Sequence, residues 1–318
     1  MPQKPRIILT QALPLDVHQS LADQFDLITV SARPVRADFL AAADGAVAIV
    51  PCPGDRFDAA VIASLPASVR GLASYSVGLD HIDLSAARDR GLIVTNTPDV
   101  LTDATADLAV HLILSATRGA SEAEADLRGG RWAGWRPDHV MGIGLQGRTL
   151  GLLGYGRIGA AVAKRAVAFG LKVVHYDHRG RGPVDDYSVP IASLEQFWAV
   201  SDILSLHAPS TDATRHIINR QTIEMMKKGV VLINTARGDL VDDSAVIAAA
   251  QSGHISAIGL DVYAGEPQLD PRYCDLPNAT LLPHIGSSTA EARQAMGAKV
   301  LANLVAITGG MTPPDRVV

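Results

Sequence analysis

The stretch Thr149-Leu-Gly-Leu-Leu153-Gly154-Tyr-Gly156-Arg-Ile-Gly159, with the run Ala160–Phe169 behind it, decides how this chain folds. An apolar strand-like segment leads into glycines at GxGxxG spacing, and a segment suited to a helix leaves them. Each glycine has a physical purpose in such a turn: one makes the tight reversal, one lets backbone approach a pyrophosphate, and one permits close helix–strand packing. The helix amino end then turns free N–H groups and a positive dipole toward phosphate oxygens. Alone, GxGxxG is a weak signal. Here a strand precedes it, a helix follows it, and an acid, Asp177, closes the next strand 18 residues beyond Gly159. That context reads as a dinucleotide-binding turn. A carboxylate at Asp177 would accept bonds from ribose hydroxyls and repel a 2′-phosphate, which favours NAD over NADP. His178, Arg179 and Arg181 follow at once and read as a solvated basic turn, with a 2′-phosphate clamp as the alternative.

Working outward, short apolar runs recur with helical stretches between them, the spacing of βαβ units and a parallel sheet. One series comprises Arg6–Thr10, Asp26–Val30, Ala46–Val50, Gly71–Ser74 and Leu92–Thr95, with helical segments near Phe39–Ala43 and Ala59–Ser64, and ends near Pro98. A second comprises Thr149–Leu153, Lys172–Tyr176, Ile203–Leu206, Val230–Asn234, Ser256–Leu260 and Thr280–Leu282, six strands, the doubly wound number. Between them Thr102–Arg118 is apolar on nearly every face, so a helix there is expected to be buried on all sides, as in a subunit interface. Arg128–Arg148, rich in Gly, Arg and Trp, reads as a loop. The spacing Ser288-Thr-Ala-Glu291 is that of a capping box opening a helix toward Thr308.

Size and charge narrow the function. The 318 residues suit about two domains at about 150 residues each. A formal net charge of −5 without a Lys/Arg block gives phosphate-backbone binding little electrostatic basis, so nucleic acid is not an expected partner. Cys52 and Cys274 sit in no disulfide or Cys/His metal pattern, so no metal site is expected. The amino end offers no signal h-region, and the longest apolar stretches, such as Leu108–Leu114, fall short of the ~20 residues that span a bilayer. A cytoplasmic protein without membrane contact is expected.

In open α/β sheets ligands bind beyond the carboxyl ends of the strands. Three charged residues follow successive strands there: Arg237 in Asn234-Thr-Ala-Arg237-Gly-Asp, Glu266 in Leu260-Asp261-Val-Tyr-Ala-Gly-Glu266-Pro, and His284 in Pro283-His284-Ile-Gly-Ser-Ser288. The chemistry that needs this trio is hydride transfer to a 2-oxo acid. A guanidinium offers a planar fork to a carboxylate and polarises the adjacent carbonyl. An imidazolium gives a proton to the carbonyl oxygen, and a neighbouring carboxylate favours the charged ring and fixes its orientation. Singly each has a duller explanation, a surface arginine, a loop end, one of ten histidines; it is the joint placement that carries the reading.

Seven ordered blocks, Gly78-Leu-Asp-His-Ile-Asp83, Thr102-Asp-Ala-Thr-Ala-Asp107, Gly154–Gly159, His207-Ala-Pro209, Asn234–Asp239, Asp261–Pro267 and His284–Ser288, resemble the D-isomer-specific 2-hydroxyacid dehydrogenases over most of the length. The resemblance implies an α/β protein with a Rossmann doubly wound NAD(P)-binding domain over 99–285. It also implies a smaller flavodoxin-like α/β substrate domain, discontinuous over 1–98 and 286–318. It implies Arg237, Glu266 and His284 as catalytic residues, with His284 the proton donor. Substrate-carboxylate contacts are implied from the backbone of Val77 and Gly78, pyrophosphate contacts at Arg157 and Ile158, and nicotinamide contacts at Thr235 and Asp261. Further cofactor contacts are implied at Thr105, Gly154, Gly156, Gly159, Asp177, His178, Arg179, His207, Ala208, Pro209, Ala236, His284, Gly286 and Ser287. A homodimer through the helix matching Thr102–Arg118 is also implied.

The loop Trp132-Ala-Gly-Trp135-Arg-Pro137 most resembles the glyoxylate and hydroxypyruvate reductases, in which a Trp matching Trp135 reaches the partner's active site; the alternative is that Trp135 only packs the dimer. Those reductases often use NADPH and lack an acid matching Asp177, a departure in this chain. Formate enzymes carry Gln where Glu266 stands, and phosphite enzymes Lys where Val77 stands. The expected activity is NAD(P)H-dependent reduction of small 2-oxo acids, glyoxylate and hydroxypyruvate favoured, to D-2-hydroxy acids. Alternatives are a lactate, phenyllactate or phosphoglycerate type of dehydrogenase, or a dinucleotide-sensing corepressor-like protein.

Overall fold

The computed structural model describes residues 3–33, 37–177 and 185–318; His178, Arg179 and Arg181 lie outside them. In chain order the elements are β1 (Arg6–Leu9), α1 (Leu15–Ala22), β2 (Asp26–Thr29), α2 (Ala37–Ala42), β3 (Ala48–Val50), α3 (Ala59–Ser64), β4 (Gly71–Ala73), α4 (Leu84–Asp89), β5 (Ile93–Thr95), α5 (Thr102–Arg118), α6 (Ala120–Arg128), β6 (Thr149–Leu153), α7 (Arg157–Ala166), β7 (Lys172–Tyr176), β8 (Val189–Pro190), α8 (Leu194–Val200), β9 (Ile203–Leu206), α9 (Arg220–Glu224), β10 (Val230–Asn234), α10 (Asp243–Gln251), β11 (Ile255–Leu260), β12 (Ala279–Leu281) and α11 (Ala290–Gly309). They fall into two compact units, Met1–Leu101 with Ser288–Val318, and Thr102–Ser287.

The first unit is a parallel sheet in the order β2-β1-β3-β4-β5, the 2-1-3-4-5 order of flavodoxin-like folds. Parallel strands covered on both faces must be apolar throughout, and Ile7, Ile8, Leu9, Ile49 and Leu72 are fully buried. Short polar caps start the helices: Asp58 accepts from Val61 N–H and Asp83 from Ser85 and Ala86 N–H. Helix α11 lies close on α1 because Gly297 has no side chain; a Cβ there would stand 2.6 Å from Val17. Tyr75 Oη donates to Arg293 O at 2.6 Å, and Val317 N–H to Val94 O at 2.8 Å, tying α11 and the tail to this sheet.

The second unit is a seven-stranded parallel sheet in the order β12-β11-β10-β9-β6-β7-β8. Strand order reverses between β6 and β9, so the loops after these two strands diverge around the crevice where such sheets bind ligands. One apolar layer, including Leu150, Leu152, Val162 and Ile233, covers the α5/α7 face, and another, including Phe197, Trp198, Leu232 and Ile258, covers the opposite face.

Several expectations need correction. The second sheet has seven strands, not six: β8 is a two-residue edge strand containing Pro190, too short and too proline-bound to show in hydropathy. Helix α7 starts at Arg157, directly after Gly156, rather than at Ala160, and Val167–Phe169 is a 3-10 turn. Ser288 and Glu291 do not form the capping box; Thr289 caps α11, accepting from Ala292 N–H at 3.1 Å. Within the single chain helix α5 leaves Asp103, Asp107, His111 and Arg118 exposed, and its expected burial in a subunit interface is a separate matter. The first two are one turn apart and pair with Arg165 of α7 at 2.8 and 2.6 Å, which keeps that stripe polar.

Candidate active site

The glycine turn leaves β6 with three glycines in three different environments. Gly154 has φ +95°, and a Cβ on it would stand 2.8 Å from the backbone of His207 and Ala208. Gly159 backs onto Gly154 O, 2.5 Å from where its Cβ would lie. Gly156 faces open space, with nothing within 4 Å of a Cβ. Two glycines are therefore required by the protein, while the third leaves a gap at the amino end of α7, where the first-turn N–H groups have no intrahelical partner. Arg157 and Ile158 occupy that first turn, and His207 N–H donates to Leu153 O at 2.8 Å, binding the β6 and β9 loops together. Asp177 follows β7 and is half-buried. Tyr155 stacks on His175 at 3.9 Å and donates to Asp185 at 2.7 Å, anchoring the far side of the turn. His207 Nε2 contacts Ser205 Oγ at 2.9 Å, and burial pushes its imidazole down to about 4, so the ring is neutral near pH 7.

Arg237, Glu266 and His284 stand beyond the carboxyl ends of three neighbouring strands, β10, β11 and β12. The Arg237 turn is held by Asn234, fully buried, whose Nδ2 donates to Arg237 O at 2.8 Å while its Oδ1 accepts from Ala236 N–H at 3.0 Å. Gly238 then passes so close to the next loop that a Cβ would stand 1.9 Å from the Tyr263 carbonyl carbon. In that loop Tyr263 N–H donates to Glu266 Oε1 at 2.9 Å, and Tyr263 Oη to Leu282 O at 2.9 Å. Glu266 Oε2 meets His284 Nδ1 at 2.7 Å. Burial pushes the Glu266 carboxyl up, but the His284 bond and charge, the Tyr263 N–H and the Arg237 charge outweigh it and hold the group below the ordinary glutamate range.

His284 itself has φ +55°, a left-handed conformation uncommon for a residue with a side chain. The turn after it is held by Asp261. Its carboxylate, 1% exposed, accepts from Ile285 N–H at 2.7 Å on one oxygen and from Gly286 N–H at 2.8 Å on the other. Burial pushes this carboxyl up, opposed by the two N–H donors and by His284. Thr105 Oγ1 donates to Gly286 O at 3.2 Å and completes the turn. Sequence reasoning passed over Asn234, Gly238 and this use of Asp261. The only local signal was Asn at a strand end before a tight turn, which suits an Asx turn.

Two features fit a dinucleotide: the gap at Gly156, and Thr235 Oγ1, which is buried and finds no hydrogen-bond partner among the described residues. Ala208 is half-buried, Pro209 exposed, and Ala236 and Ser287 half-buried. Val77 and Gly78 belong to the other unit, in the loop after β4. Trp135 lies in the irregular segment after α6 and is 84% exposed. Among the described residues no cluster of His, Cys, Asp or Glu could hold a metal ion, and no helix is long and apolar enough to cross a membrane.

Residues 110–286 match the family description "D-isomer specific 2-hydroxyacid dehydrogenase, NAD binding domain". The chain is 39% identical to a glyoxylate reductase of Thermococcus litoralis, over 99% of this chain and 97% of that one. It is 36% identical to a glycerate dehydrogenase of Hyphomicrobium methylovorum, over 96% and 97% of the two. Among solved structures it is similar to the NADPH-dependent glyoxylate/hydroxypyruvate reductase of Sinorhizobium meliloti in complex with NADP and malonate, with TM-score 0.88, 32% identity, and 99% and 97% of the two chains covered.

Proposed function

This chain belongs to the D-isomer-specific 2-hydroxyacid dehydrogenases, NAD(P)-dependent oxidoreductases, and from that premise we propose that it reduces glyoxylate and hydroxypyruvate to the D-2-hydroxy acids with His284 as proton donor. The observation that carries the reading is the 2.7 Å contact of Glu266 with His284 Nδ1, beyond the ends of β11 and β12, with Arg237 beyond the end of the neighbouring β10. With Nδ1 committed to a carboxylate held ionised, His284 donates from Nε2. Arg237 takes the substrate carboxylate in its fork and draws electron density from the neighbouring oxo group. The Val77 and Gly78 N–H groups are proposed as further contacts of a substrate carboxylate. The proton from Nε2 neutralises the oxygen as it becomes an alkoxide, and Glu266 remains anionic beside the ring.

A reduced nicotinamide, when bound, supplies the hydride to the carbonyl carbon. Backbone N–H groups at Gly156–Ile158 would hold its pyrophosphate, Thr235 Oγ1 and Asp261 its nicotinamide end, and Asp177 its ribose. Asp177 favours NADH, whereas the relative from Sinorhizobium meliloti is named NADPH-dependent. The proposal includes a homodimer in which a second copy covers the exposed Trp132, Trp135 and Met141 segment, with Trp135 at the partner's substrate site. Parallel kinetics with NADH and NADPH against glyoxylate, hydroxypyruvate, pyruvate and phenylpyruvate, with chiral assignment of the products, test it. Absence of turnover with all four would refute the substrate class, and an L-product the stereochemistry.

A further inference from the structure

We propose that Asn96 is a positioning residue that aims the Gly78 N–H at a substrate carboxylate, within a loop whose Ser76 and Val77 carbonyls are both turned the other way. The inference rests on the reading above that a 2-oxo acid carboxylate meets Val77 and Gly78. Asn96 and the loop both lie in the first unit.

A trans peptide is planar, so its C=O and the following N–H point in opposite directions. Whatever captures the carbonyl fixes where the N–H aims. Ser76 O accepts from Thr97 N–H at 2.9 Å, which turns Val77 N–H away from the 96–97 segment. Val77 O accepts from Asn96 Nδ2 at 2.9 Å, which turns Gly78 N–H away as well. Two successive amides therefore present their hydrogens on the side opposite Asn96 and Thr97, a concavity suited to one carboxylate.

A third carbonyl is held by a directed relay. Gly78 O can only accept, so Ser76 Oγ must donate to it, at 2.7 Å. Its single hydrogen spent, Ser76 Oγ accepts from Ser74 Oγ at 2.7 Å, and Ser74 Oγ in turn accepts from His81 Nε2 at 3.1 Å. The direction of this chain assigns the proton to Nε2 of His81. Ser74 and Ser76 are buried, so the relay is shielded from competing water. Of these anchors Asn96 is the one side chain that holds the carbonyl on the Val77–Gly78 peptide itself.

Asn96→Ala frees the Val77 carbonyl and lets the Gly78 amide rotate. A charge-assisted bond lost in part corresponds to about a tenfold loss of affinity. KM for glyoxylate and the dissociation constant for oxalate, a carboxylate probe that is not turned over, should rise together by about tenfold. NADH affinity and kcat should stay within about threefold of wild type, a split that general loosening of the fold would not give. A folded variant with unchanged oxalate affinity overturns the proposal. The same question can be put to the wild-type protein loaded with NADH, by following backbone amide resonances during an oxalate titration. Val77 and Gly78 amide protons should move downfield among the largest changes, and silence of both overturns the proposal even if Asn96→Ala does not fold. Turnover separates the two readings: oxalate-responsive amides in an enzyme inactive on 2-oxo acids would remove the substrate assignment and leave the aimed amides standing.

Discussion

Replacing Asp261 by Asn tests whether the His284 turn is held in its left-handed form by a buried carboxylate. In the wild type the two carboxylate oxygens take Ile285 and Gly286 N–H at 2.7 and 2.8 Å. An amide of the same shape keeps one acceptor and presents an NH₂ to the other N–H, so one charge-assisted bond is lost and a buried donor is left unsatisfied. A bond to a charged group contributes about 1.5–3 kcal/mol and an unsatisfied buried donor costs about 1–3 kcal/mol. Allowing for overlap between the two, Asp261→Asn should destabilise the protein by about 2–4 kcal/mol. For a unit of this size that lowers Tm by roughly 5–15 °C. Released from the clamp, His284 relaxes from φ +55° and its ring moves relative to Glu266. A displacement of about 1 Å in a catalytic group lowers kcat by about 10–100-fold. The decisive assay is thermal melting without cofactor, beside steady-state kinetics. If Asp261 acted only by touching a nicotinamide, the cofactor-free Tm would not move. A cofactor-free Tm within about 1 °C of wild type, with kcat unchanged, would refute the clamp.

Arg237→Ala should lower kcat/KM by about 10–150-fold, the loss of a charge-assisted bond, with Arg237→Lys recovering only part because an ammonium cannot engage a carboxylate through a planar fork; near wild-type efficiency in Arg237→Ala would end its assignment. Gly156→Ala should leave the cofactor-free Tm unchanged, since its Cβ meets nothing within 4 Å, yet weaken NADH binding measured by fluorescence titration. Gly238→Ala should cost on the order of 3 kcal/mol or more, because its Cβ would fall 1.9 Å from the Tyr263 carbonyl carbon; equal Tm values for the two glycine variants would contradict the packing. Glu266 has a depressed carboxyl, so its contribution to stability is fully present above the ordinary value of 4.5 and is lost as pH falls through the lower folded value. The stability difference between wild type and Glu266→Gln, from urea midpoints at pH 3 to 7, should therefore shrink as the solution is acidified below about 4.5, and a constant difference would count against the coupling with His284.

What the sequence showed of this molecule is what local chemistry encodes. Strands Thr149–Leu153, Lys172–Tyr176, Ile203–Leu206 and Val230–Asn234 appear at their expected bounds, since β-branched and leucine-rich runs bounded by glycine or polar residues can hardly be anything else in a buried parallel sheet. The glycine turn was legible for the same reason, since the φ +95° of Gly154 and the approach of Gly159 to Gly154 O are requirements of the turn itself. The clamp was not: Asp261 and the amides it holds are separated by 24 and 25 residues, and nothing near Leu260 says that its carboxylate faces backward onto a turn after β12. The polar stripe of α5 was hidden likewise, because Arg165 lies 62 and 58 residues beyond Asp103 and Asp107. Gly238 looked like an ordinary loop glycine because the backbone that forbids a side chain there belongs to Tyr263.

The placement of the trio follows from topology before any side chain is considered. In the run β10-β11-β12, strands consecutive in sequence are neighbours in the sheet, about 4.8 Å apart, so residues a few positions beyond their carboxyl ends must come together. Adjacency alone leaves each loop free to swing by more than the half ångström or so that proton transfer tolerates. Asn234 on the Arg237 turn, Gly238 against Tyr263, Tyr263 N–H on Glu266 and Asp261 on the His284 turn remove that freedom. Every one of these devices fastens to backbone, and the reason is physical. The buried Leu240, Val262 and Tyr273 of these loops pack without direction, whereas their N–H and C=O groups need aimed partners in any case. The aim of the three side chains is therefore set by these four polar or backbone contacts in addition to the core packing, and substitutions that leave the core intact can still disarm the site.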